Sequence, residues 1–183
     1  MKNIAILKTL IGEEAAEKCR GFRDINYALH YVQCPEVKAK LRGLRELAED
    51  FCSAEVNSRE LMNNWSAVVN YLMLKGKDLG TEQFRVLFLD RKNKLIEDVL
   101  MGEGTVDHAP VYPREVAKRA LLLDATAVIL THNHPSGDPS PSAADIEMTK
   151  LIVSALKPLE IAVHDHLIIA KQGHTSLRQS GHM

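Results

Sequence analysis

The segment THNHPSGDPSPSAAD, residues 131–145, sets His132 and His134 one residue apart and places Asp145 a short loop beyond them. Side chains two apart on an extended chain share a face, so both imidazoles can point at one spot. Two imidazoles and a carboxylate, with a fourth position left to water, are the ligand set of a catalytic zinc site rather than a closed structural one. An ion so held lowers the pKa of bound water to about 7 and makes hydrolysis feasible at neutral pH. The same residues have plainer uses. Neighbouring histidines are common on surfaces, and an aspartate in a first helical turn is favoured by the helix dipole.

The flanking elements decide whether such ligands converge. ATAVILT (125–131) is a nearly continuous apolar run, as expected of a strand covered on both faces. It ends at Thr131 and delivers His132 and His134 to the carboxyl edge of a sheet, where open α/β folds place their sites. Three prolines stiffen PSGDPSPS, Gly137 supplies a turn, and Asp138 can bond nearby backbone N–H groups. Ser142 caps the helix SAADIEMTKLIVSALKPL, with Asp145 in its first turn.

Upstream, QFRVLFLD, the turn RKNK and LIEDVLMG read as a hairpin. Pro113 opens a helix, PREVAKRALLLD, with Val116, Ala117, Ala120 and Leu121 on its apolar face. IAVHDHLIIA is another strand. Alternating strands and helices predict a mixed sheet with helices packed on it. Residues 1 to about 80 look helical instead. Leu7, Leu10, Ile11, Ala15, Ala16 and Cys19 form one stripe, and Val37, Leu41, Leu44 and Leu47 form another. A third helix is expected from Ser58 as N-cap, with Leu61, Trp65, Val68, Val69 and Leu72 facing inward. The polar KGKDLG reads as a linker. The expected division is a helical domain at 1–74, a linker at 75–81 and a second domain at 82–183.

Composition narrows the class. A chain of 183 residues with 45% hydrophobic and 26% charged residues is ordinary for a globular protein. Its net charge of -1 gives no support for strong non-specific phosphate binding. Its start has only a short apolar run with acidic residues close behind, and nothing approaches a membrane span, so a cytoplasmic protein without a membrane partner is expected. Cys19, Cys34 and Cys52, odd in number and far apart, suit reduced thiols better than a disulfide or zinc pattern.

The string HNHPSGDPSPSAAD strongly resembles the RadC-like branch of the JAMM (MPN-plus) metallohydrolases, whose signature is an upstream Glu, then HxH, then SxxD. GTVDHAPVYPREVAKRALLLDATAVIL, EQFRVLFLD and VHDHLII are similar to that branch too, so the resemblance covers about residues 82–178. It implies an α+β fold, a mixed sheet between helices in a cytidine-deaminase-like arrangement, preceded by a small all-α domain. It also implies one zinc per chain on His132, His134 and Asp145, with Ser142 donating a hydrogen bond to an oxyanion. Better-studied relatives of the family cleave peptide or isopeptide bonds, whereas the RadC-like branch carries a DNA-repair label without a secure substrate.

A hydrolase also needs a carboxylate to move protons. Glu82, Glu97 and Glu103 compete. If the first strand runs antiparallel to AVILT, its start lies at the His132 edge, which favours Glu82, the position matching the family's Glu. Glu103 shares that edge beside two glycines, and Glu97 falls near the middle of the sheet. The repeat of HxH at His164 and His166 reads as structural or as a partner orienting a ligand. His108 and Tyr112 precede a helix and could line a cleft or a solvated loop. His30, His174 and His182 have no evident partners.

LIGEEAAEKCRGFRDINYALH and PEVKAKLRGLRELAED resemble the helix-hairpin-helix domain that often precedes the RadC-like module. The Gly-x-Gly hairpin that would let backbone amides approach phosphates is replaced by VQCPEVKAK. Lys38, Lys40, Arg42 and Arg45 then read as a solvated helix face. Two functions are therefore expected side by side: a zinc hydrolase of a peptide, isopeptide or other amide, and a nucleic-acid-binding module or zinc nuclease. Neither substrate nor oligomeric state is written in the residues, though a dimer is compatible with them.

Overall fold

The computed structural model describes residues 4–22, 25–58, 61, 64–104 and 111–183. It divides into two compact units, Met1–Phe51 and Cys52–Met183.

The first unit is helical: α1 (Ile4–Ile11), α2 (Glu13–Lys18), α3 (Ile25–Tyr31) and the first part of α4 (Pro35–Ser58). Gly12, at φ +90°, breaks the first apolar stripe into α1 and α2, a conformation that a residue with a Cβ rarely adopts. Leu7, Ile11, Ala16, Cys19, Val37 and Leu41 form the core, while Leu10 and Leu47, expected in the stripes, are exposed. Burial raises the Cys19 thiol pKa. Lys40 pairs with Glu36 at 3.4 Å and Arg45 with Glu49 at 2.8 Å along α4.

The second unit carries a five-stranded mixed sheet in the order β2-β1-β3-β4-β5. Its strands are β1 (Gln83–Leu89), β2 (Leu95–Glu103), β3 (Ala127–His134), β4 (Ala162–Ala170) and β5 (Gly173–Ser176). β1 is antiparallel to both β2 and β3, β3 is parallel to β4, and β5 returns antiparallel. Helices cover both faces, as a sheet with two apolar faces requires. Phe84, Val86, Phe88, Val128 and Leu130 pack with residues of α6 (Pro113–Leu122) and α7 (Ala143–Leu156). Leu87, Leu89, Ala127, Ile129, Leu167 and Ile169 pack with Ala67, Val68, Tyr71 and Leu72 of α5 (Trp65–Gly76). Alternate residues of β1 and β3 thus feed opposite cores, the period-two signature of a strand.

Several expectations need correction. The structure divides at residue 51/52 rather than at 74, because α5 buries its apolar face on the sheet. Residues 75 and 76 accordingly finish α5 instead of opening a linker. Ser58 ends α4 and does not cap a new helix; α5 begins at Trp65. β3 does not stop at Thr131 but pairs with β4 through His134. Leu121 of α6 is exposed. His108 lies outside the described residues.

Asp98 of β2 ties α5 to the sheet. It accepts hydrogen bonds from Tyr71 Oη at 2.6 Å, Lys75 Nζ at 3.0 Å and Arg85 Nε at 3.0 Å. Burial opposes its charge, but Tyr71 and Arg85 outweigh it and hold the carboxyl below its usual pKa. Removing one partner of a buried ion pair costs about 3–5 kcal/mol; the partly exposed Lys75 and Arg85 reduce this. Asp98→Ala should therefore destabilise the protein by about 2 kcal/mol in urea unfolding. Because the folded pKa is depressed, this contribution is present above about pH 4 and fades as acid protonates Asp98. The wild-type and variant unfolding midpoints should converge at low pH.

Candidate metal centre

The HxH pair stands at the carboxyl end of β3 with both rings on one sheet face, and the capped start of α7 brings Asp145 to them. His132 Nε2 lies 2.9 Å from His134 Nε2 and 3.2 Å from Asp145 Oδ1, and His134 Nε2 lies 3.5 Å from Asp145 Oδ2. Tetrahedral bonds of about 2.0–2.1 Å would separate ligand atoms by about 3.3 Å. The two ring nitrogens and the two carboxylate oxygens lie close to that spacing, and together His132, His134 and Asp145 could hold a metal ion. His132 is buried; the other two are partly so.

Hydrogen bonding at the far side of each ring fixes which nitrogen faces the site. His134 Nδ1 lies 2.9 Å from the Asp138 carbonyl oxygen, which can only accept. Nδ1 therefore carries a proton, which makes Nε2 the nitrogen that an ion would take. For His132 the constraint passes through a chain. Thr149 Oγ1 donates its one proton to the Asp145 carbonyl at 2.6 Å, so toward His166 Nδ1, also at 2.6 Å, it accepts. His166 Nε2 is then an acceptor for His132 Nδ1–H at 2.8 Å, which again leaves Nε2 of His132 as the nitrogen facing the site. Burial pushes the His166 pKa well down and keeps its ring neutral. Ligand histidines are commonly oriented by such outer partners. Phe84, opposite His132 in the β1–β3 register, stacks on its ring at 6.1 Å between centroids.

Asp145 is oriented by the helix it opens. Ser142 Oγ accepts from Asp145 N at 3.1 Å, while Asp145 Oδ2 accepts from Ser142 N at 2.7 Å, a reciprocal capping box. Burial works against the carboxylate charge, but hydrogen bonds from His132, His134 and Ser142 hold its pKa far below the usual range. The same contact with Asp145 raises the pKa of His134. Ser142 is exposed, and its hydroxyl hydrogen is not consumed by the cap.

The three glutamates part company. Continuing the Phe84–His132 register outward sets Glu82 opposite His134, on the same face as Phe84. Glu82 lines one cleft with His132, Asp145 and His166, and its charge contributes to the raised pKa of His134. Glu103 accepts from Thr81 Oγ1 at 3.2 Å and Gln83 Nε2 at 3.1 Å. Glu97 pairs with Arg119 at 2.6 Å, in register with Phe88 and hence with Val128, four residues up β3 from His132.

The second HxH separates as well. His166 joins the site through His132. His164 bonds Asn93 Oδ1 at 2.7 Å, because a register shift between Val128 and Ile129 leaves it as the extra residue on β4. Asp138 accepts from Ser140 N at 2.9 Å, as expected of a loop-holding aspartate. Tyr112 is exposed beside Arg114. His30 belongs to the first unit, His174 lies in β5, and His182 lines a separate hollow with Arg178 and Met183.

Two residues went unnoticed in the sequence. Thr149 anchors the relay. Asn133, the buried residue between the histidines, clamps the strand that carries Glu82. Its Oδ1 accepts from Gln83 N at 2.8 Å, and its Nδ2 donates to Thr81 O at 3.0 Å. Gly104 N holds the Glu82 carbonyl at 3.0 Å. Apart from HNH itself, no local pattern could flag a side chain whose partners lie some fifty residues earlier. Asn133→Ala removes two part-buried hydrogen bonds at about 1 kcal/mol each. A loss of about 2–3 kcal/mol in chemical denaturation is expected, with metal stoichiometry unchanged because no ligand is touched.

Among the described residues, no helix is long and apolar enough to cross a membrane. A family model, the RadC-like JAB domain, matches residues 62–182, which begins ahead of α5 and takes in the whole sheet and the three converging ligands. That match spans well over half of the sequence, and with it the chain belongs to the RadC-like JAB domain family.

Proposed function

We propose that the chain is a zinc-dependent hydrolase that cleaves a peptide, isopeptide or other amide bond. The observation that carries this reading is the convergence of three ligand atoms of the zinc-favouring types on one point, beside a cleft that Glu82 also lines. Nitrogen and carboxylate donors in this number suit zinc and leave a coordination position free. His132, His134 and Asp145 would hold the ion, one per chain. Bound zinc would supply a Lewis acid and make water nucleophilic near neutral pH.

The remaining chemistry belongs to the chain. Glu82 takes the proton of the attacking water and passes it to the departing amine, general base and then general acid. Ser142 turns its free hydroxyl hydrogen toward the oxyanion while its oxygen keeps the helix cap. His166 and Thr149 hold His132 in the tautomer that binds. Asn133 keeps the Glu82 segment against β3.

Metal analysis of the purified protein tests the reading. Close to one equivalent of zinc is expected after dialysis. Loss of the ion without effect on melting, or zinc retained after both histidines are replaced, would sink it. The nucleic-acid reading predicts instead tight DNA binding with a steep salt dependence that Glu82→Gln leaves untouched. Indifference to DNA at low salt removes that alternative.

A further inference from the structure

The cleft that opens on His132 and Asp145 has a composition of its own. Phe84 and Val111 form one part of its wall, Met148 and Leu151 of α7 another, and Glu82 and Glu147 supply charge. Among the described residues, no lysine or arginine lines it. Its volume is about 180 Å³, below the roughly 300–1,000 Å³ of sites that engulf a whole small molecule but equal to the room of about six waters. That is space for one side chain. Leu151 is 50% exposed, an apolar surface in the wall that gains cover only when something apolar enters.

Charge points the same way. Asp145, Glu82 and Glu147 place three carboxylates around the cleft, so a divalent ion on the triad still leaves it net negative. A phosphodiester chain arriving here would meet like charge and find, among the described residues, no cationic side chain to replace its counterions. An uncharged aliphatic side chain meets neither cost and buries apolar area against Phe84, Met148 and Leu151.

We propose that this cleft is the substrate's specificity subsite, taking an uncharged aliphatic side chain of leucine or methionine size next to the cleaved amide and rejecting anionic chains. The assignment rests on the zinc hydrolase reading and adds the substrate class. Full transfer of a leucine side chain out of water is worth about 10- to 100-fold in affinity.

The test uses the full chain loaded with zinc and titrated calorimetrically with the hydroxamates of leucine, glycine and aspartate. These share the metal-binding group and the α-amine and differ only in the side chain. Leucine hydroxamate should bind about 30-fold tighter than glycine hydroxamate, and aspartate hydroxamate more weakly than either. Leu151→Arg, at a half-exposed position that leaves the core intact, should erase the leucine preference and improve aspartate binding. A single-stranded oligothymidylate should not displace leucine hydroxamate at low salt. Equal affinities, an aspartate preference or displacement by the oligonucleotide would overturn the assignment while leaving the ion site standing. Failure to load zinc, seen before any hydroxamate is added, would overturn both.

Discussion

Glu82→Gln should retain a full equivalent of zinc while turnover of an internally quenched peptide library falls by about 10²- to 10⁴-fold. The range is that of a positioned general acid–base group, and the substitution keeps size and hydrogen-bonding capacity while removing the proton acceptor. Glu82 is expected to matter this much because it lines the same cleft as His132 and Asp145, and because its strand is pinned from both sides by Asn133 and Gly104. Glu97→Gln and Glu103→Gln serve as internal comparisons. Glu97 is committed to Arg119, and Glu103 to Thr81 and Gln83. Both should keep turnover within a few-fold of wild type. A Glu103→Gln variant as slow as Glu82→Gln would reassign the proton carrier.

His132→Ala combined with His134→Ala is expected to abolish metal binding, and the clearest readout is thermal. An ion that binds only the folded state stabilises it by about 4 kcal/mol at a thousandfold excess over Kd. For a protein of this size each kcal/mol moves the melting temperature by about 2–4 °C. Zinc should therefore raise the wild-type melting temperature by about 10 °C and leave the double variant unmoved. The variant without metal should itself melt below the wild-type protein without metal, because His132→Ala leaves buried His166 Nε2 without its partner, so the comparison is the zinc-dependent shift of each protein. Removing both imidazoles also relieves the crowding of two ring nitrogens 2.9 Å apart, an arrangement suited to a shared cation. A zinc-dependent shift that survives the double substitution would place the ion elsewhere.

The parts of this site that could be read in the sequence are those set by local rules. His132 and His134 share a face because strands alternate, and Asp145 follows Ser142 at the spacing of a capping box. The antiparallel pairing of β1 with β3, inferred only as a condition, is what carries Glu82 to the right edge. Residues whose work depends on distant partners stayed hidden. Asn133 reaches back to Thr81 and Gln83, and the value of Thr149 emerges only when β4 presents His166 to it. The pair His164 and His166 read as structural or as orienting a ligand, and only the strand irregularity shows which histidine reaches the site. The misplaced domain division has a similar origin. Amphipathic spacing shows that α5 has an apolar face but not which core receives it, and here the sheet does.

The capping box has a consequence for how this chain can vary in length. Asp145 cannot slide along α7 without losing Ser142 behind it, and Thr149, one turn ahead, must stay in phase to meet His166. An insertion or deletion between Ser142 and Asp145 would rotate the aspartate off its corner, and one between Asp145 and Thr149 would rotate the threonine away from His166, by about 100° per residue, the angular step of a 3.6-residue turn. The stretch between Asp138 and Ser142 carries no such phase requirement. Length changes between the histidines and the aspartate are best accepted there, and a graft of the triad onto another scaffold must carry the helix start as one indivisible cassette.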